Sequence, residues 1–162
     1  MYTKEQEKTI QEYIDSVDSN VLSFIKEVIN GNNETSYITV AFLSNEASKQ
    51  INELTNKNVA GNRVVLDINA IKHILNRHGE FGKQDTSMSN IEDIARIGYI
   101  LTNYDEINYK GISTTGYLDE NGNPAPMVQF SKRIDGKYYV IEAVNSSKKK
   151  KNYIITAYIS KA

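Results

Sequence analysis

Apolar residues first recur at helical spacing. Between Thr3 and Ile29 the run Tyr13, Ile14, Val17, Val21, Phe24, Ile25 and Val28 follows a period near 3.6, so the segment reads as one helix or a broken pair. Asp18-Ser19-Asn20 either interrupts it or caps a second piece, and Gly31-Asn32-Asn33 ends it. Tyr37–Ser44 is β-branched and aromatic enough for a strand. Asn45 then caps a helix through Leu54, and Arg63–Leu66 forms a short extended piece. Asp67 caps a helix that runs to His78 and stops at Gly79. Ser89-Asn90-Ile91-Glu92 reads as a capping box opening another helix through Leu101.

From about Ile107 the period changes to alternation. Strands are expected at Tyr109–Leu118, Met127–Arg133, Lys137–Val144 and Tyr153–Ser160, with turns at Asn121-Gly122 and Asp135-Gly136 and a lysine-rich loop between the last two strands. Helices first and strands last predict an α+β fold, with N-terminal helices packed on a four-stranded antiparallel C-terminal sheet. Parity sorts the last strand into Tyr153, Ile155, Ala157 and Ile159 on one face and Ile154, Thr156, Tyr158 and Ser160 on the other. If Tyr139, Ile141 and Ala143 face the core, Glu142 joins Gln129, Ser131, Arg133, Thr156 and Tyr158 on a polar face. That face offers phosphate donors, a carboxylate and an aromatic surface for a base. A half-solvated sheet has the same pattern.

Charge sharpens this picture. The net charge of −1 conceals ten Lys/Arg against sixteen Asp/Glu in residues 1–106, and eight against two in residues 127–162. A basic C-terminal third suits a polyanion, or is a solvated lysine-rich turn. The absence of cysteine excludes disulfides, thiolate nucleophiles and zinc–thiolate sites. No apolar run approaches a membrane span and the N-terminus is not a signal peptide, so no membrane partner is expected.

The two histidines lie in Ile71-Lys72-His73-Ile74-Leu75-Asn76-Arg77-His78-Gly79. Helical geometry puts Ile71, Ile74, Leu75 and His78 on one face and points His73 nearly opposite. The pair cannot grip one metal from a regular helix, and neither a metal nor a cofactor is expected. His78 sits in the last turn, where the helix dipole favours imidazolium, as suits an acid–base group; it is otherwise a core-edge histidine ending the helix. His73 is a surface residue or a second candidate, and Arg77 either holds phosphate or is solvated.

The stretch Val64–Ile68, the Arg77-His78-Gly79 match, Ile94–Leu101, Phe130–Val144 and Ile154–Tyr158, taken in order, resemble the phage branch of the barnase–EndoU–colicin–RelE-like nucleases. That branch occurs in Mu F-like phage head proteins and polymorphic toxins. The similarity covers about Tyr37 to Ser160, which frames a helical arm at 1–33 and a barnase/RelE-like nuclease domain at 37–162. The resemblance implies metal-independent cleavage of RNA, tRNA being one candidate, by attack of the ribose 2′-hydroxyl on its phosphodiester. It implies catalytic roles for His78, Glu142, Thr156 and Tyr158, with His73 in reserve. Arg77, Ser131, Lys132 and Arg133 would bind substrate. It also implies action in a bacterial cytoplasm after delivery by a phage particle or secretion system, with an immunity or antitoxin protein as a further partner. The competing expectation is a catalytically silent module that binds a protein or nucleic acid.

Overall fold

The computed structural model describes residues 1–32 and 34–161; Asn33 of the expected helix-ending cluster and Ala162 lie outside them. The N-terminal periodic segment is a broken pair, α1 (Lys4–Ile14) and α2 (Ser19–Asn30). Asp18 separates them because its carboxylate accepts from the backbone N–H groups of Asn20 and Val21, starting a new helix rather than continuing the old one. Gly31 ends α2 in the left-handed conformation at φ 74°.

Then follow β1 (Tyr37–Phe42), α3 (Asn45–Thr55), β2 (Arg63–Asp67), α4 (Ile68–His78), α5 (Ile91–Ile94), α6 (Ile97–Thr102) and the strands β3 (Glu106–Ile112), β4 (Pro126–Arg133), β5 (Lys137–Ala143) and β6 (Lys151–Ser160). Two caps differ from expectation by one residue. Ser44, not Asn45, accepts from Ala47 N–H to cap α3, and Asn90, not Ser89, accepts from Glu92 N–H at α5. The expected helix through Leu101 is broken at Ala95 and Arg96 into α5 and α6.

The expected antiparallel order β3-β4-β5-β6 is present, but the sheet has six strands, not four, in the order β1-β2-β6-β5-β4-β3. β2 joins β6 in parallel over Arg63–Val65 and Lys151–Tyr153, and β1 adds antiparallel to β2. The fold is therefore α+β with a mixed sheet. β2 is too short to flank all of β6; past Val65 the chain soon turns into α4, which packs against β6.

The helices cover one face of the sheet. Phe24, Ile25, Ile51, Ile71, Ile74 and Ile97 meet Val64, Leu66, Val128, Phe130, Val140, Ile154 and Ala157 in one continuous core. Burying each large side chain contributes about 1.5–3 kcal/mol, and α2 is built into this core through Val21, Phe24, Ile25 and Val28. Gly98 lets α6 cross β1 closely, since a Cβ there would lie 2.6 Å from the Val40 carbonyl oxygen. The other sheet face carries a small cluster of Ala125, Ala143 and Ile155, partly roofed by Tyr117 from the β3–β4 loop. Met127 and Ile141 pack against this cluster, and beyond it the face carries mainly polar and aromatic side chains. Among the described residues no helix is long and apolar enough to cross a membrane.

Candidate active site

The last turn of α4 leaves carbonyls without helical partners. The loop that follows satisfies them: Lys83 N–H donates to Asn76 O, Gln84 and Asp85 N–H to Arg77 O, and Met88 N–H to His78 O. Wrapping the helix end in this way brings Asp85 back to His78, where its Oδ2 lies 2.9 Å from Nδ1. Met88, fully buried, anchors the loop in the core, and Ser87 Oγ accepts from Ile159 N–H, tying the loop to β6. Gly82 is required by contact, because a Cβ there would meet Asp85 O at 2.1 Å and Arg77 O at 2.7 Å. Partial burial would raise the Asp85 pKa, but hydrogen bonds from Ser87 and the His78 ring outweigh it and hold the carboxyl below its ordinary value. An ionised carboxylate can only accept, so Nδ1 carries the proton and Nε2 is the nitrogen left for chemistry.

The His78 ring is 3 % exposed and stacks on Tyr158 at 5.1 Å between centroids. Tyr158 in turn stacks on its cross-strand partner Tyr139 at 5.1 Å, and Lys137 Nζ lies 5.5 Å over the Tyr139 ring while pairing with Glu106 at 3.0 Å. Tyr158 alternates with the core residues Ala157 and Ile159, which puts this row on the face away from the main core. Burial, with Tyr139 and Asp85 nearby, raises the Tyr158 pKa and keeps it a phenol. Ser131 lies opposite Tyr139, and the neighbouring row is Gln129, Ile141 and Thr156. Ser131 Oγ, Gln129 Oε1 and Thr156 Oγ1 are buried on this face without a hydrogen-bond partner among the described residues.

His73 stands on the flank of α4, where with Asn69, Thr115, Gly116, Tyr117 and Ile155 it lines a hollow of about 330 Å³ over the same sheet face. Burial first, then the charges of Arg77 and His78, lower its pKa and favour the neutral imidazole. Arg77 is exposed beside it.

The structure thus brings His78, Tyr158, Thr156 and Ser131 onto one surface, with His73 and Arg77 along α4 and Arg133 exposed at the end of β4 on the same face by parity. Lys132 is not with them: it alternates to the helix side of the sheet and pairs with Asp105 at 3.3 Å. Glu142 is also corrected. Tyr138 and Val140 face the main core, so Glu142 follows them inward beside Val128 and Ile154, leaving Tyr139 and Ile141 on the polar side. A bulge at Ile155 shifts the β5–β6 register between Ile141 and Glu142, so Ile155 and Thr156 fall on one face and strict alternation in β6 fails. Glu142 is fully buried; Asn152 Nδ2 donates to its Oε1 at 3.2 Å, and Asn62 Nδ2 donates to Asn152 Oδ1 at 3.0 Å. Burial pushes the Glu142 pKa up to about 8 despite the Asn152 hydrogen bond.

Sequence reasoning missed Asp85, Tyr139 and Lys137. The acid–polar loop after Gly79 was the one available signal for Asp85, since it must return to cover the α4 carbonyls. Among the described residues no three His, Asp or Glu side chains converge as metal ligands. Residues 41–162 match a family model described as phage-Barnase-EndoU-ColicinE5/D-RelE like nuclease3. No curated protein and no solved structure matches the chain.

Proposed function

The chain belongs to the phage-Barnase-EndoU-ColicinE5/D-RelE-like nucleases, and from that premise we propose that it is an endoribonuclease acting without a metal. The observation that supports this best is the Asp85–His78–Tyr158 constellation standing beside the buried oxygens of Ser131, Gln129 and Thr156. An imidazole oriented through Nδ1 by a carboxylate presents Nε2 for proton transfer, and the carboxylate stabilises the imidazolium.

In this reading His78 is the general acid and His73, held neutral by its surroundings and near enough to His78 for their charges to interact despite their different faces of α4, is the base. His73 takes the proton of the ribose 2′-hydroxyl, whose oxygen attacks phosphorus. The bond from phosphorus to the 5′-oxygen breaks, and His78 Nε2 protonates that oxygen. The products are a 2′,3′-cyclic phosphate and a free 5′-hydroxyl. Charge gathering on the phosphoryl oxygens meets Arg77, Arg133 and the Tyr158 hydroxyl, with the buried hydroxyls of Thr156 and Ser131 behind them. Glu142, turned into the core, has no part in the step.

The test is purified protein incubated with total RNA, tRNA and single-stranded DNA in the presence of a chelator. Cleavage of RNA to cyclic-phosphate ends, lost in His78→Ala, is the expected result. Cleavage of DNA, or a requirement for added divalent cation, refutes it. RNA binding without products marks a silent binding module instead.

A further inference from the structure

At the other end of the same sheet face two cations converge on one phenol. Arg63 and Lys151 are direct partners in the parallel β2–β6 pairing, so their side chains leave the sheet on the same side. Lys151 Nζ lies 2.8 Å from Tyr37 Oη and 4.0 Å from the ring centroid. Arg63 reaches the same oxygen at 3.4 Å and Thr39 Oγ1 at 3.3 Å, with its guanidinium 5.6 Å from the ring. Neither cation meets a carboxylate within ion-pair distance among the described residues. The hydrogen bond from Lys151 pulls the Tyr37 phenol below its ordinary value, as two positive charges against one oxygen should. Lys148, Lys149 and Lys150, all exposed, extend the positive field around this corner. Like charges brought together without a counter-charge are an arrangement that an anion completes.

This corner is joined to the histidines. Tyr37, Asp67, Asn69 and Tyr153 line a hollow of about 390 Å³, and Asn69 also lines the hollow that holds His73. Asp67, the carboxylate on the way, is occupied as the α4 cap, accepting from Ala70 N–H at 2.7 Å. Lys151 and Tyr158 are seven positions apart on β6, which is roughly 20 Å along a strand. Tyr153 and Tyr117, 6.4 Å apart between ring centroids, line the interval with aromatic surface.

We propose that Arg63 and Lys151 form a phosphate clamp gripping the backbone of single-stranded RNA several nucleotides away from the bond that is cleaved. The clamp rests on the placing of that bond beside His78, and it makes the enzyme favour long over very short substrates. Tyr37 occupies the two cations in the free protein as a competing acceptor and yields them to a phosphate when RNA arrives.

The experiment measures binding separately from cleavage. Uncleavable 2′-O-methyl oligoribonucleotides of about three and about twelve nucleotides are titrated by fluorescence anisotropy over a range of salt. The wild type is compared with the double variant Arg63→Gln, Lys151→Gln and with Tyr37→Phe. The double variant is expected to bind the long oligonucleotide about tenfold more weakly, with the salt slope reduced by about 0.7 per lost phosphate contact, and to bind the short one unchanged. Tyr37→Phe, which leaves both cations in place, should bind the long oligonucleotide at least as tightly as wild type. That variant carries the test if the double variant does not fold. Equal affinities for the long oligonucleotide in wild type and double variant, equal losses at both lengths, or weakened binding in Tyr37→Phe overturn the clamp. If wild type fails to cleave RNA while the double variant still shows the length-dependent loss, the cleavage reading is refuted and the two cations stand as an RNA-binding site.

Discussion

Glu142→Gln separates a buried carboxyl from a catalytic one. The Glu142 pKa stands at about 8 in the fold against 4.5 for an ordinary glutamate, with burial the dominant cause. A raised carboxyl favours the protonated form, so its contribution to stability is intact below pH 4.5 and is lost as pH rises towards 8. At pH 7 the unfolded chain gains about 3 kcal/mol by ionising this group, a gain the folded chain forgoes. Above pH 8 the difference levels at about 5 kcal/mol. Glutamine has the shape of the neutral acid and keeps the oxygen that accepts from Asn152. Glu142→Gln should therefore gain about 3 kcal/mol on wild type between pH 4 and pH 7, equivalent to about 10 °C in melting temperature, on top of a pH-independent cost for an amide where Oε2 has no partner. Urea unfolding of both proteins at pH 4, 7 and 9 reads the effect directly. A stability difference that stays constant across that range refutes the buried-acid argument. Cleavage should survive the substitution; its loss in a folded, stabilised variant would return Glu142 to the role of base.

Other expectations test the histidine side of the sheet. Asp85→Asn should lower kcat by about 10²- to 10³-fold with little change in KM, because the amide no longer fixes the tautomer or stabilises imidazolium; steady-state kinetics on a short RNA check it. Gly82→Ala forces the loop off the Arg77 carbonyl and should cost about 1–3 kcal/mol of stability together with most activity, whereas a fully active, equally stable variant would show that the loop does not position Asp85. The rising limb of the pH–rate profile should lie below the ordinary imidazole range, since burial and the neighbouring cations lower the His73 pKa, and His73→Gln should abolish that limb.

Much of the architecture is written locally. Helix periodicity, Asp18 and Asp67 as caps, Gly31 as a stop and the Asp135-Gly136 turn all act within a few residues, so the positions of α1 to α4 and of β4 to β6 are legible in the chain. The resemblance carried by the segments from Val64 to Tyr158 likewise points to the nuclease family that residues 41–162 match. His78 could be singled out because the end of a helix is a local feature.

What tertiary structure decided is whatever depends on partners distant in the chain. The parallel β2–β6 pairing joins segments about ninety residues apart, and no local preference announces it. A single bulge at Ile155 reverses the parity of half of β6, while pairing with Val128 and Phe130 of β4 turns Val140 and Glu142 to the core and leaves Tyr139 on the opposite face. Side-chain alternation has a period of two, so one extra residue inverts every assignment beyond it. Asp85 meets His78 because the carbonyls at the end of α4 need donors, and the loop that supplies them must double back. The sequence alone determined the elements and their caps; only the folded chain decided which side chains share a surface.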